Sequence, residues 1–392
     1  MRVFRELKQL YPMPNSALSW LSSMSIISST QLESAKRLLF ISPVALGDFL
    51  YLKTFLIALK KQNSHIEIDI WLDDNRNNSD AWRLSRSKIM QQWIEAEPAF
   101  TRSYGCCSSE KQQRAQIFDA QAINYDLIIT HSGSKSEQFS NVAREIGPDA
   151  FIVSSIGKSK YFGLIDSFLF RHSDRLFKLE ENNLPAKHHI TDRYYQLLNR
   201  IVGIKLDKND FMPSLTIPNE IAIITQNWLK TQFTDSGRQG PLIFLNHLST
   251  NSKRDWQESQ LFELIKLIGN KSPDSRFVVN VTKENYKKVS DAIKNNINLA
   301  SLQVSVFTVN EHFFELPSMI ASADLVITVE TAIMHFATAS NRPLIAMMRQ
   351  KKPYWAPPSS QTSRVLYASK GKGYVSDISV NQVLDTYVEM TR

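Results

Sequence analysis

Apolar runs of strand length alternate with longer amphipathic stretches along most of this chain. RLLFISP (37–43) reads as a buried strand, and Phe49 to Lys61 follows it with helical spacing. IEIDIWL (66–72) predicts a second strand and Asp80 to Glu95 a second helix. YDLIIT (125–130) and FIVSS (151–155) are further short apolar runs between helical segments. Strands separated by helices in this way build βαβ units on a parallel sheet. In FMPSLTIP (211–218) two prolines interrupt an extended stretch, the composition of a linker. A second series then begins: PLIFLN (241–246), RFVVNV (276–281), LQVSVF (302–307), DLVIT (324–328) and PLIAMM (343–348), with helical stretches between them and a last helix at the C-terminus. The pattern predicts an α/β fold of two Rossmann-like domains facing each other across a cleft, the first over 37–218 with its linker and the second over 219–392. Residues 1–36 precede the first strand. Phe4, Leu7 and Tyr11, then Leu18, Trp20, Leu21 and Met24, form two apolar stripes on either side of Pro12-Met13-Pro14. They predict a helical extension packed on the first domain, or else a surface that rests on a membrane.

Composition narrows the class. A hydrophobic share of 43% suits a globular protein with a full core, and no apolar run approaches the roughly 20 residues of a membrane-spanning helix. The opening MRVFRELKQLYPMPNS carries charges where a signal peptide has its apolar stretch, so export is not expected. Cys106 and Cys107 are the only cysteines. Adjacent cysteines rarely form a structural bridge and two cannot make a zinc site alone, which fits a reducing cytoplasm. The formal charge of +8 points to an anionic partner. The excess is scattered rather than blocked, which favours a phosphate-bearing small molecule or lipid over nucleic acid. None of the 12 glycines forms a dinucleotide-binding G-x-G-x-x-G or a P-loop, so a nicotinamide dehydrogenase and a P-loop NTPase are both disfavoured. No Asp-x-Asp follows an apolar strand. Asp73-Asp74 comes closest and reads as a solvated turn, so no metal site is expected. The charge of a diphosphate would then have to be met by side-chain cations and backbone N–H groups.

Three stretches carry candidate chemistry. In ISPVALGDFLYLKT (41–54) a strand ends, a loop carries Gly47, and Asp48 opens a helix. A carboxylate there lies where open α/β sheets hold their ligands, though Asp also simply caps helices. In LNHLSTNSKRDWQES (245–259) a strand leads into a loop with Ser249, Thr250, Lys253 and Arg254 ahead of a helix. This is either a diphosphate cradle or a solvated loop. In DLVITVETAIMHFATA (324–339) Glu330 and Thr331 stand at a strand-to-helix turn, with His335 on the first turns of the helix. A lone His on an apolar helix is usually a satisfied core residue, but this one lies at the same sheet edge as the other two stretches.

Together these stretches resemble the lipopolysaccharide heptosyltransferases of the inverting glycosyltransferase family 9. Ala45-Leu46-Gly47-Asp48 matches the family's small-residue loop with Gly-Asp. His247, Ser249, Thr250, Lys253 or Arg254, and Trp256 match its His-x-[ST]-[ST] loop with cation and Trp. Glu330-Thr331-Ala332-Ile333-Met334-His335 matches its Asp-Thr-Gly-x-x-His with two departures, and His189-Ile-Thr-Asp192-Arg193-Tyr194 its short motif before the linker. The four occur in the same order as in the family, from about Arg37 to Trp355. The extension and PVALGDFLYLKTF look like the branch that adds the first heptose to Kdo, the acidic sugar next to lipid A.

The resemblance implies a GT-B fold, no metal and no cofactor, with acceptor in the first domain and ADP-heptose in the second. It implies Asp48 as the base. It places the donor on Ser249, Thr250, one of Lys253 and Arg254, Glu330, Thr331, Ala332 and His335, and more loosely on Glu284. The acceptor, Kdo-lipid A with or without phosphate on Kdo, would meet Gly47 and a basic cluster of Arg76, Arg83, Arg86 and Lys88, which read alone is equally a solvated helix face. Such an enzyme works at the cytoplasmic face of the inner membrane and binds no nucleic acid. The run KSKYFGLIDSFLFRHSDRLFK (158–178) suits a helix at a membrane interface, or a buried amphipathic one. Glu330 for Asp adds a methylene to the acidic group, and Ala332 stands where a Gly lets the backbone approach phosphate. Two other readings remain: a GT-B enzyme using another nucleotide sugar, and a basic binding protein without activity.

Overall fold

A computed structural model describes residues 25–157, 159, 163–233, 240–350, 352–358, 360–369 and 373–391. The apolar stripes of 1–24 lie outside the described residues. Residues 25–36 pack on the first domain: Ile26 and Ile27 donate backbone N–H bonds to Arg200 and Ile201 carbonyls, and the short helix α1 (Ser29–Ser34) follows with Leu32 buried.

Among the described residues, the chain forms two parallel six-stranded sheets. The first contains β1 (Arg37–Ile41), β2 (Glu67–Trp71), β3 (Arg102–Tyr104), β4 (Leu127–His131), β5 (Phe151–Ile156) and β6 (Arg175–Lys178), in the order β3-β2-β1-β4-β5-β6. The second contains β7 (Leu242–Asn246), β8 (Arg276–Asn280), β9 (Gln303–Phe307), β10 (Leu325–Val329), β11 (Leu344–Met348) and β12 (Ser363–Tyr367), in the order β12-β11-β10-β7-β8-β9. Read from their first strands, both orders are the same doubly wound arrangement, reversing direction beside β1 in one sheet and beside β7 in the other. The central strands LLFI, LIFLN and LVITV are buried on both faces, which is why they are continuously apolar rather than alternating.

The helices of the first domain are α2 (Leu46–Gln62), α3 (Ala81–Glu95), α4 (Glu110–Gln121), α5 (Ser136–Ile146), α6 (Asp166–Leu169) and α7 (Ile190–Val202). Those of the second are α8 (Asn219–Gln232), α9 (Glu258–Lys271), α10 (Lys283–Lys294), α11 (Glu315–Ser322), α12 (Ala332–Ala339) and α13 (Val380–Thr391). The domains meet through apolar side chains. Trp93 of α3 stacks on Phe313 at 5.0 Å between ring centroids and meets Phe336 of α12 edge-on at 5.7 Å.

Three strands escape the sequence pattern. RSY, RLFK and SRVLY are short, half-polar edge strands, whose outer faces need no apolar cover. The run 158–178 is not one helix: Lys158 and Lys160, Tyr161 and Phe162 lie outside the described residues, α6 spans four residues, and 175–178 pairs with β5 as β6. Asp73-Asp74 is no solvated turn either. Asp73 is fully buried and the pair grips the Arg83 guanidinium.

Candidate active site

A cleft of about 720 Å³ opens between the carboxyl ends of the two sheets, at the places where both strand orders reverse. Open α/β sheets bind ligands at this position because loops from neighbouring strands diverge there. Asp48 and Gly47 line it from one side; Ser249, Thr250, Arg254, Glu330, Thr331, Ala332 and His335 line it from the other. All three chemical stretches of the sequence therefore converge.

Asp48 is the third residue of α2, whose N-cap is Ala45, so it is not the capping residue. Its Oδ1 accepts a hydrogen bond from the Tyr194 hydroxyl at 3.1 Å. Burial pushes its carboxyl above the usual range; Tyr194, the Ala45 backbone N–H, and the Lys352 and Arg86 charges oppose that rise without cancelling it. A raised carboxyl is a stronger proton acceptor, which suits a base. The short motif at 189–194 acquires a role here. His189 caps α7, its backbone N–H donates to Asp192 Oδ2 at 2.8 Å, and the helix so started carries Tyr194 to Asp48.

The floor opposite is polar. Asn246 Nδ2 donates to the Thr328 hydroxyl at 3.1 Å, and Asn246 Oδ1 accepts from Asn280 at 2.9 Å, tying together the ends of β7, β8 and β10. The loop after β7 is held from within. Ser249 N–H donates to Asp255 at 2.6 Å, and Arg254 Nη2 donates to the Thr250 hydroxyl at 3.1 Å. Trp256, buried, fastens its far end by an indole bond to the Ile378 carbonyl. His247 belongs to that anchor rather than to the cleft: it is buried, and burial lowers its imidazole to about 4. Of the two cations, Arg254 lines the cleft and Lys253 is an exposed neighbour outside it.

Thr331 caps α12 by accepting the Ile333 N–H at 3.3 Å, and the start of that helix, Thr331 and Ala332, lines the cleft. Such a helix start attracts anions. Ala332 has an ordinary negative φ, so the glycine it replaces is not needed for backbone freedom, and its methyl stands at the cleft wall. Glu330 accepts the Arg349 backbone N–H at 3.2 Å. Gly47 lets the domains approach closely, since a Cβ there would come within 3.0 Å of the His335 ring.

Several expected site residues lie elsewhere. Glu284 is exposed in the first turn of α10, outside the cleft lining; its carboxyl bonds its own backbone N–H and the Thr282 hydroxyl, which hold it below the usual range. Of the basic cluster only Arg86 reaches the cleft. Arg83 has no exposed surface and donates to Asp73, Asp74 and the carbonyls of Asn78 and Cys107, so it cannot touch an acceptor. Lys88 is exposed away from the cleft, and Arg76 pairs with Asp74 while lying over Trp82. The helix divides these side chains: Arg83 and Ser87 face inward, Trp82 and Arg86 the cleft.

Sequence reasoning passed over Lys352, Trp82, Trp355, Asn246 and Asn280, all of which line the cleft. The polar residues closing β7 and β8 were the available signal, because an Asn ending an apolar strand lies at the binding edge. Lys352 follows β11 at that same edge.

The fold is shared with solved proteins. A glycosyl transferase family 9 protein of Veillonella parvula is 18% identical with a TM-score of 0.70, over 92% of this chain and 98% of that one. E. coli ADP-heptose lps heptosyltransferase II is 17% identical with a TM-score of 0.67, over 91% and 98%. E. coli heptosyltransferase WaaC with ADP is 16% identical with a TM-score of 0.60, over the same shares. At such identities the likeness is one of fold, the two-domain GT-B arrangement. Curated protein sequences give no match. A family model does: that of glycosyltransferase family 9 (heptosyltransferase) covers residues 149–376, more than half of the chain, and the protein is therefore a glycosyltransferase of this family.

Proposed function

We propose that this protein transfers heptose from ADP-L-glycero-D-manno-heptose to Kdo of lipid A, with inversion at the anomeric carbon and without a metal, in lipopolysaccharide inner-core synthesis. The observation that carries the reading is the placement of Asp48, a carboxylate of raised proton affinity, across the cleft from Arg254 and the start of α12. Inversion needs a base on one side of the sugar and stabilisation of a departing diphosphate on the other. Asp48 takes the proton of the acceptor hydroxyl as that oxygen attacks. Arg254, the Ser249 and Thr250 hydroxyls and the N–H groups at Thr331 and Ala332 receive the negative charge on the leaving ADP. Lys352, which lines the cleft and whose charge acts on Asp48, adds a further cation. The acceptor enters past Arg86 and Trp82, where a guanidinium at the cleft suits the carboxylate or phosphate of Kdo. No helix among the described residues is long and apolar enough to cross a membrane.

Two measurements test this reading. Turnover should persist in excess EDTA, because protein cations and dipoles meet the diphosphate; loss on chelation with recovery in Mg²⁺ contradicts the metal-free mechanism. Arg254→Ala should weaken ADP binding in calorimetry by about ten- to hundredfold, the range of one charge-assisted bond. Lys253→Ala should change it little. Equal effects, or none, would place the diphosphate elsewhere.

A further inference from the structure

The contact between α2 and α12 carries a consequence beyond the family chemistry. The Tyr51 hydroxyl, in the first domain, lies 2.9 Å from Nδ1 of His335 in the second. Tyr51 has no exposed surface and His335 is buried. The two rings meet edge to face at 5.1 Å between centroids, and His189 packs on Tyr51 in the same manner at 5.0 Å. Among the described residues, His335 Nδ1 is the one hydrogen-bond partner of the Tyr51 hydroxyl.

That single partner decides where the imidazole proton sits. Burial raises the Tyr51 phenol above its usual range and lowers His335 to about 3, so both are neutral. If Nδ1 held the proton and donated it, the phenol O–H would be left buried without an acceptor, a costly arrangement. With the phenol donating, Nδ1 accepts and the imidazole proton is on Nε2. The Nε2 edge of the ring abuts Gly47: a Cβ there would stand 3.0 Å from Cδ2 and 3.6 Å from Nε2. Gly47 and His335 both line the cleft, next to Asp48.

We propose that Tyr51 is a positioning residue: reaching across the domain boundary, it fixes His335 as the Nε2–H tautomer and so presents an uncharged N–H to the oxygens of the nucleotide-sugar donor. The ligand part of this statement rests on the donor reading above; the tautomer part does not. Because the bond spans two domains, the donor group is set only while α2 and α12 are in contact. An uncharged N–H at this place also avoids a fixed positive charge competing with Arg254 and Lys352 for the diphosphate.

The test has two arms. In protein labelled with [15N]histidine, two-bond NMR correlations distinguish a pyridine-like from a pyrrole-like ring nitrogen, with the His335 signals identified by their loss in His335→Gln. Nδ1 should be pyridine-like and Nε2 pyrrole-like, and Tyr51→Phe, which keeps the ring and its packing, should mix the two patterns. A pyrrole-like Nδ1 in the parent protein, or an unaltered pattern in Tyr51→Phe, overturns the tautomer assignment whatever the enzyme's substrate. The second arm compares His335→Gln, whose amide reaches the Nε2 position, with His335→Asn, whose amide sits at the Nδ1 position. Gln should turn over about tenfold faster than Asn, the difference expected of one hydrogen bond to the donor. Equal rates, or Asn the faster, would show that the Nε2–H is not used.

Discussion

Replacing Asp48 by Asn should lower kcat by about 10²–10⁴-fold, the usual contribution of a positioned base. Asn keeps the size of the side chain and an oxygen for the Tyr194 hydroxyl, but it cannot take up a proton. Asp48 is the third residue of α2 and accepts the backbone N–H of the N-cap Ala45, a bond that the Asn amide oxygen can also accept, so the start of the helix should survive the change. Melting temperature should hold or rise. A carboxyl raised by burial disfavours the ionised form in the fold, so its contribution weakens stability as pH rises through its folded value, and a neutral amide removes that penalty. ADP affinity should stay close to the parent value, since the groups proposed to hold the diphosphate belong to the other domain. The same raised carboxyl predicts an acid limb in kcat lying above the ordinary carboxylate range. Tyr194→Phe removes an interaction that holds the carboxyl down, so the limb should move to higher pH. A fully active Asn variant would take Asp48 out of the mechanism.

Arg83→Ala should be among the most destabilising single changes in the first domain. The guanidinium has no exposed surface and lies 3.2 Å from Asp73 and 2.6 Å from Asp74. Removing it leaves two carboxylates near one another without their principal counter-charge, a loss of about 3–5 kcal/mol for a broken buried pair. The deficit should be smaller in acid, where the abandoned Asp73 carboxyl can bind a proton, and larger as pH rises. Burial already pushes Asp73 up with Arg83 in place. Arg86→Ala provides the contrast: its side chain is at the cleft, so it should raise the acceptor KM and leave chemical denaturation nearly unchanged. If Arg83→Ala were as stable as the parent and impaired only acceptor binding, the buried-anchor assignment would be wrong.

The comparison of these two arginines shows where sequence stops being sufficient. Arg76, Arg83, Arg86 and Lys88 are alike in a linear reading, because the pattern says that a helix is present but not which turn faces a buried acidic pair. Arg83 and Arg86 stand three apart on neighbouring positions of one helix side, and it is the buried Asp73–Asp74 pair that draws Arg83 inward while Arg86 stays at the cleft. The central strands were legible because burial on both faces makes them continuously apolar, as in LIFLN and LVITV. The edge strands RSY, RLFK and SRVLY were not, since one uncovered side removes that pressure. Asp48, the loop 247–256 and the turn 330–332 were legible together because each follows a central strand, so the fold itself brings them to one edge. Tyr51 and Lys352 carry no local sign of a place in the site, and Tyr194, though inside the 189–194 motif, shows none of its contact with Asp48. Their contacts reach across elements far apart in the chain, such as Tyr194 to Asp48, and no local spacing announces such a pairing.

The most direct test of the central claim is a transfer assay with ADP-heptose and Kdo-lipid A in the presence of EDTA, read by product mass and by the anomeric configuration of the new linkage. One heptose should be added to Kdo, with ADP released and the anomeric centre inverted, and this product should be nearly absent with Asp48→Asn. Retention of configuration, or no transfer from ADP-heptose while another nucleotide sugar is consumed, would contradict the claim.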